Sequence, residues 1–232
     1  MSKGRPARKQ PPTKRRTVSG GGIAVEVPPD RLVGWVNRFA GRNDGLAAIS
    51  TDGAVISVAG GDGTAAVLQV PFGPMTVGDR EPIEALLHHL SGLGALGVVL
   101  VRGGAHSVGV VRDGLVLSSS TDRAYLQGRT AAGGWSQQRF ARRRENQRTA
   151  SFENASTTTT RLLVPLAASL RGLVLGGDKH ALAEVFADSR LVVLENLPRR
   201  VFGDIAEPRR AVLDEIATRS LSVEIVISPM PA

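Results

Sequence analysis

The sequence contains no cysteine. That absence excludes a disulfide framework, a thiol nucleophile and thiolate-held zinc, and it fits a cytoplasmic setting. Aromatic residues make up only 4% of the chain, so a core must rest on valine, leucine, alanine and isoleucine. Long hydrophobic runs are missing as well. "GALGVVLV" at 94–101 is far shorter than the roughly 20 apolar residues a spanning helix needs. The basic start is not followed by an apolar stretch, so neither a secretory signal nor a membrane partner is expected. Acidic residues are absent from the first sixteen positions, which hold Lys3, Arg5, Arg8, Lys9, Lys14, Arg15 and Arg16. No HExxH, Walker loop or serine-nucleophile elbow occurs.

What is present is a chain of 232 residues, 42% apolar and 22% charged, with a net charge of +8. That length is ample for a buried core, in one large domain or two small ones. The tail's cations account for most of the excess charge, so the remainder is close to neutral. Within that remainder, Arg139, Arg142, Arg143, Arg144 and Arg148 face only Glu145. A cationic tail and a separate internal block both point to a polyanion, RNA or DNA.

Residues 1–20 are rich in Lys, Arg, Pro and Gly and cannot bury enough apolar surface to offset ordering. They are expected to form a disordered basic tail that threads along phosphates. Residues 21–92 read as an N-terminal α+β region. "IAVEV" (23–27) alternates as a strand. Asp30 is placed to cap a helix whose apolar residues Leu32, Val33, Trp35, Val36 and Phe39 keep helical spacing, with Gly41 at its end. Strands joined by Asp-Gly turns at 52–53 and 62–63 follow, then a short amphipathic helix over 81–90. Residues 93–232 form the third segment. Its strands are 97–102, 106–112 and 115–120, and a polar helix runs from Gln137 past Asn154 with Ser136 as N-cap. Beyond it come a strand to Leu175, a Gly-Gly-Asp turn with Asp178 capping a helix, a strand over "LVVL" (191–194), a helix and a closing strand. The fold class is therefore α+β, a mixed β-sheet flanked by helices. The polar helix lacks an apolar stripe before Leu162, so it is expected to project from the body.

The segment "GGWSQQRFARRRENQ" (133–147) concentrates chemistry. Gly133 and Gly134 permit close approach of another backbone or a nucleotide. The helix that follows opens with free N–H groups that favour negative charge, including a developing oxyanion. Gln137 and Gln138 supply neutral carboxamides, each with a donor and an acceptor, able to orient water without titrating. Arg139, Arg142 and Arg143 share one helix face, and Arg144 and Arg148 line a neighbouring one, as phosphate-binding guanidinium forks. Trp135 either stacks on a base or braces the turn. His106 and His180 stand alone, and the adjacent His88 and His89 point to different faces, so no metal site and no cofactor are expected.

These residues resemble the catalytic-loop region in the middle domain of eukaryotic and archaeal class I peptide-chain release factors. There a Gly-Gly-Gln is followed by Ser, two variable residues and an Arg-Phe-Ala-Arg-x-Arg helix start. "LRGLVLGGDKHALAEVF" resembles the downstream strand, glycine loop and helix of that domain, and "YLQGRTAAGGWSQQRFARRR" is similar to the actinobacterial branch of the Vms-like release factors. The resemblance spans roughly 97–200. It implies a release-factor-like catalytic domain over 93–232, with a projecting glycine loop. It also implies a cytoplasmic peptidyl-tRNA hydrolase that acts on obstructed large ribosomal subunits, with rRNA of the peptidyl transferase centre and peptidyl-tRNA as partners. A gapless overlay puts Trp135 where the family has its catalytic Gln. The resemblance supplies the role without fixing the residue: Gln137 is the first choice and Gln138 the second, with Gly133 and Gly134 as the loop. Trp135, Ser136 and the arginines, together with the basic tail, become the RNA-binding set. The alternative from another functional class is a non-catalytic rRNA-binding factor of large-subunit assembly or hibernation.

Overall fold

The computed structural model describes residues 15–18, 21–123 and 135–228, without the side chains of 135–141, 143 and 144. In chain order the elements are β1 (Arg15–Thr17), β2 (Ile23–Val27), α1 (Leu32–Arg42), β3 (Leu46–Thr51), β4 (Val55–Gly60), β5 (Ala65–Gln69) and α2 (Pro82–Ser91). They continue with β6 (Ala95–Arg102), β7 (Ala105–Arg112), β8 (Leu115–Arg123), α3 (Trp135–Leu163), β9 (Leu170–Gly177), α4 (Lys179–Phe186), β10 (Arg199–Phe202), α5 (Arg210–Arg219) and β11 (Val223–Ser228). The architecture is α+β with two sheets. The described residues divide into two compact units, the first within Met1–Val70, Pro74–Leu86 and Ser222–Ala232, the second Pro71–Gly73 with Leu87–Leu221.

The first unit holds a six-stranded antiparallel sheet in the order β1-β2-β11-β5-β4-β3. Register explains its core. Val25, Ile225, Leu68 and Ile56 stand opposite one another across four strands, and all four are buried. The Asp-Gly turns form as expected. Asp52 Oδ1 accepts from the N–H groups of Ala54 and Val55 at 2.8 and 2.9 Å, and Asp62 Oδ1 accepts from Thr64 N–H at 2.9 Å. In α1, Leu32, Val36 and Phe39 are buried at helical spacing. The helix starts later than the expected Asp30 cap, because Pro29–Arg31 form a 3-10 turn ahead of it, and it runs one residue past Gly41. Two strand placements differ from the sequence reading. Arg15–Thr17, read as part of an unstructured tail, pair with β2. The closing strand β11 lies between β2 and β5 in this first sheet, a pairing set by contacts some 150 to 200 residues apart that local pattern cannot reveal.

The second unit holds a mixed sheet in the order β10-β9-β6-β7-β8, parallel over β10-β9-β6 and antiparallel over β6-β7-β8. Its central strand β6 is apolar on both sides because both faces are covered. Val99 and Val101 join a core with Leu163, Leu173, Leu175 and Val185. The alternate residues Val98 and Leu100 join Val174, Leu213 and Ile216 in another. The strand expected at "LVVL" is a 3-10 helix, Ser189–Leu194. Asp188 caps it, accepting from Arg190 N–H at 3.0 Å, and Leu191 and Leu194, three apart, are buried while Val192 and Val193 stay exposed. The strand that does pair beside β9 is β10, "RRVF". Its charged residues are tolerated at a sheet edge.

Candidate active site and its helix

Gly133 and Gly134 lie outside the described residues, as do Lys3, Arg5, Arg8, Lys9 and Lys14. The backbone resumes at Trp135 as the first residue of α3, which is 29 residues long. The expected N-cap, Ser136, therefore sits inside the helix, one residue past its start. Helix ends are set by backbone geometry that side-chain type only biases. Gln137 and Gln138 fall in the opening turn, where the first N–H groups, that of Gln137 among them, have no partner within the helix and carry its positive pole. Arg139, Arg143 and Arg144 continue the same helical backbone. Of the arginines whose side chains are described, Arg142 is exposed, and Arg148 is exposed and pairs with Glu145 at 3.4 Å. In the tail, Arg15 is exposed, whereas Arg16 is held by Glu224, with contacts of 2.9 and 3.0 Å to the two carboxylate oxygens.

The helix has two halves. Between Arg142 and Ala150, every described side chain is exposed except Gln147, which is half-buried. From Ser151 the helix is built into the unit, by polar groups as well as by the apolar Phe152, Ala155, Leu162 and Leu163. Ser151 donates to the Gly104 carbonyl at 3.1 Å, and Asn154 donates to Asp122 Oδ2 at 2.6 Å. Thr158 Oγ1 lies 3.1 Å from His106 Nε2, and Ala155 and Thr159 are fully buried. A helix advances about 1.5 Å per residue, so the opening turn stands about 24 Å along the axis from the first anchor. The polar first half does extend beyond the anchored part; the second half, which also lacks an apolar stripe, does not. Hydroxyls can satisfy their bonds on the helix's own carbonyls, as Thr159 does to Ala155 at 2.8 Å, and so enter a core without appearing apolar.

These anchors escaped sequence reasoning. Strand β8 runs past Ser120, its expected end, and carries Asp122 opposite His106 in register. "TTTT" at 157–160 was the available clue. His106, 1% exposed, packs as a structural residue. Burial lowers its pKa, and the Asp122 carboxylate opposes part of that shift. Burial therefore favours the neutral ring in the folded protein. An unfolded histidine gains a proton below about pH 6.5, while the folded one does so only at lower pH. Stability from this group is complete above that range and declines as the pH falls through it. Thermal unfolding followed from pH 8 to 5 is expected to show the decline, and His106→Gln to remove that part of it. An undiminished decline in the variant would contradict the assignment.

The other histidines do not assemble a site. His180 is exposed, 3.6 Å from Glu184, with its ring edge toward Phe152, and His89 Nε2 meets the Pro71 carbonyl at 2.9 Å. Asp178 caps α4, accepting from the N–H groups of His180 and Ala181 at 2.8 and 3.3 Å. Among the described residues no helix is long and apolar enough to cross a membrane, and no group of three or more metal-ligating side chains gathers.

Solved structures similar to the chain include the Vms1 mitochondrial localization core, at 11% identity and a TM-score of 0.40, with 77% of each chain covered. An archaeal translation termination factor, aRF1, is similar at 14% identity and a TM-score of 0.31, over 88% of this chain and 68% of that one. Dom34 of S. cerevisiae, a translation termination-like factor, is similar at 8% identity and a TM-score of 0.29, over 90% of this chain and 69% of that one. No curated protein matches the chain. The family profile described as Actinobacteria/chloroflexi VLRF1 release factor matches residues 94–226. That span is more than half of the chain and takes in the whole 133–148 segment, α3 with its anchors, and the strand–turn–helix capped by Asp178. The chain belongs to the Actinobacteria/chloroflexi VLRF1 release factor family.

Proposed function

We propose that this release-factor relative is a peptidyl-tRNA hydrolase of ribosome rescue, freeing nascent chains from tRNA on obstructed large subunits. The observation that carries the reading is the family match over 94–226, which includes two glutamines in the opening turn of a long helix. Water adds to the carbonyl carbon of the ester between peptide and 3′ adenosine. The tetrahedral oxyanion then collapses, the carbon–oxygen bond breaks, and the ribose 3′ oxygen leaves with a proton. An ester is already activated, so the protein's task is to place water and stabilise the oxyanion. A carboxamide does both at any physiological pH, because it does not titrate. Gln137 takes this role, with Gln138 as its neighbour. Gly133 and Gly134 admit the acceptor end, and Trp135 and Ser136 meet RNA beside it. Arg139, Arg142, Arg143, Arg144 and Arg148 hold the helix among rRNA phosphates.

The test is peptide release from purified large subunits carrying peptidyl-tRNA. Release that survives both Gln137→Ala and Gln138→Ala overturns the catalytic assignment and leaves a binding factor. The basic tail forms a phosphate-binding arm in this reading. Deleting residues 1–14 is expected to weaken ribosome binding and flatten its dependence on salt, since each phosphate contact contributes to the slope of log affinity against log salt. An unchanged slope would remove the tail from the interface.

A further inference from the structure

Nothing so far gives α1 a role, yet its free face has an unusual composition. Arg31, at the junction with the preceding 3-10 turn, is followed by Trp35, Arg38 and Arg42 at steps of four, three and four residues. That spacing places them along one side of a helix. The buried residues Leu32, Val36 and Phe39 lie on another side. The row spans about 16 Å at 1.5 Å per residue. All three arginines are exposed and Trp35 is half-buried.

Three observations separate this row from an ordinary solvated face. First, no acidic residue occurs from Arg31 to Asn43, and among the described residues none of the three arginines is ion-paired. Elsewhere Arg16, Arg123, Arg190 and Arg210 each hold a carboxylate. Asp30 and Asp44 flank this stretch in the chain, and Asp62, whose N–H donates to the Asn43 carbonyl, accepts from a backbone N–H group in its own turn. Second, Trp35 is not loose. Its ring stacks on Phe39 with centroids 5.4 Å apart and planes at 22°, and Phe39 is buried. A ring fixed from within is a ready platform for a contact from outside. Third, Gly34 makes room inside the helix. A Cβ there would lie 3.2 Å from Arg38 Nη1, so the Arg38 guanidinium lies back along the helix, beside the residue that precedes Trp35. Unpaired guanidinium forks around a fixed aromatic ring suit RNA, whose backbone supplies phosphates at short intervals and whose bases and sugars supply a flat or apolar contact.

We propose that α1 is an RNA-binding face, with phosphates on Arg31, Arg38 and Arg42 and Trp35 as the contact between them. It lies outside residues 94–226, the part that defines the family, and it stands whether or not Gln137 is catalytic. Its test therefore measures binding alone. The chain has two tryptophans, so the full chain with Trp135→Phe reports on Trp35. A single-stranded RNA oligonucleotide is expected to quench Trp35 emission and protect it from iodide. Replacing Arg31, Arg38 and Arg42 with alanine should abolish the quench and weaken RNA binding about tenfold. It should also reduce the salt slope by about 2, since each phosphate lost from a single strand contributes about 0.7. The control removes equal charge from exposed positions of the second unit, Arg112, Arg161 and Arg171. Equal losses in the two triple variants, with Trp35 unresponsive, overturn the proposal, because bulk charge alone then explains binding. A Trp35 response to vesicles of anionic phospholipid but not to RNA overturns it as well. Thermal unfolding of each variant identifies any that fail to fold. In that case Arg38→Lys, which keeps the charge and loses the fork, still decides the matter through a weakened quench.

Discussion

Gln137→Ala is expected to slow peptide release from large subunits carrying peptidyl-tRNA by about a hundredfold to a thousandfold, the usual effect of removing one oxyanion donor. The loss should appear in the maximal rate, with binding to the subunit almost unchanged. An interaction made only in the transition state lowers kcat and kcat/KM together, whereas an interaction made equally in ground and transition states lowers affinity alone. The arginines supply the contrast. Arg142 is exposed on the first half of α3, and Arg142→Ala should raise the concentration needed for half-maximal release and leave the saturated rate near its original value. Gln138→Ala decides which carboxamide works. If its effect exceeds that of Gln137→Ala, the catalytic amide lies one residue further along the helix, about 100° around its axis. A rate indifferent to both substitutions, with binding intact, would leave a factor that occupies the subunit without cleaving anything.

Gly177→Ala should be among the most damaging single-methyl additions in the second unit. Gly177 ends β9, pairs in register with Val101 of β6, and has φ +110°, in a region that favours glycine. A Cβ built there would run into the backbone carbonyl of Val101, whose carbon would lie 2.9 Å away. That obstacle is not a flexible side chain. The Val101 carbonyl also accepts from Asp178 N–H at 2.9 Å, so a shift at this point disturbs the residue that caps α4. Left-handed strain of about 1–2 kcal/mol and overpacking of about 1–3 kcal/mol together imply a loss of about 3 kcal/mol. In a chain of this size that lowers the unfolding midpoint by about 6–12 °C. Calorimetry on the variant checks it; a midpoint within a degree of the original would mean that the strand end yields easily and that the close approach is not structural.

The parts of the fold legible in the sequence were those governed by short-range pattern. The hairpin β6-β7-β8 could be read because turn residues separate three runs, and the continuous apolar character of β6 reflects cover on both faces. Asp52, Asp62 and Asp178 announced their turns and cap through side chains that bond the next backbone N–H groups. Non-local choices were not legible. "LVVL" has the composition of a strand, yet Asp188 starts a tight helical turn and only Leu191 and Leu194 face inward. "RRVF" hides a parallel edge strand behind two arginines. The anchoring of α3 through Ser151, Asn154 and Thr158 has no hydropathic signature, because the Ser151 and Thr158 hydroxyls are buried with hydrogen-bond partners and the exposed Asn154 amide holds Asp122 at the surface. At the candidate site, residue chemistry and family resemblance point to the glutamines and arginines as the residues to test. The row on α1 was hidden for the opposite reason. Its apolar spacing dominates the pattern, and the arginines stand out only when burial distinguishes the two sides of the helix.

The position of β11 bears on how the protein comes into being. Its six residues supply an interior row of a sheet whose other strands all come from the first seventy positions. During synthesis those early strands emerge with a gap between β2 and β5, each presenting an unsatisfied flank. They must wait for more than 150 further residues before the gap is filled. A nascent chain in that condition is open to mispairing and to chaperone capture, and a product halted before position 223 could not close its amino-terminal unit at all.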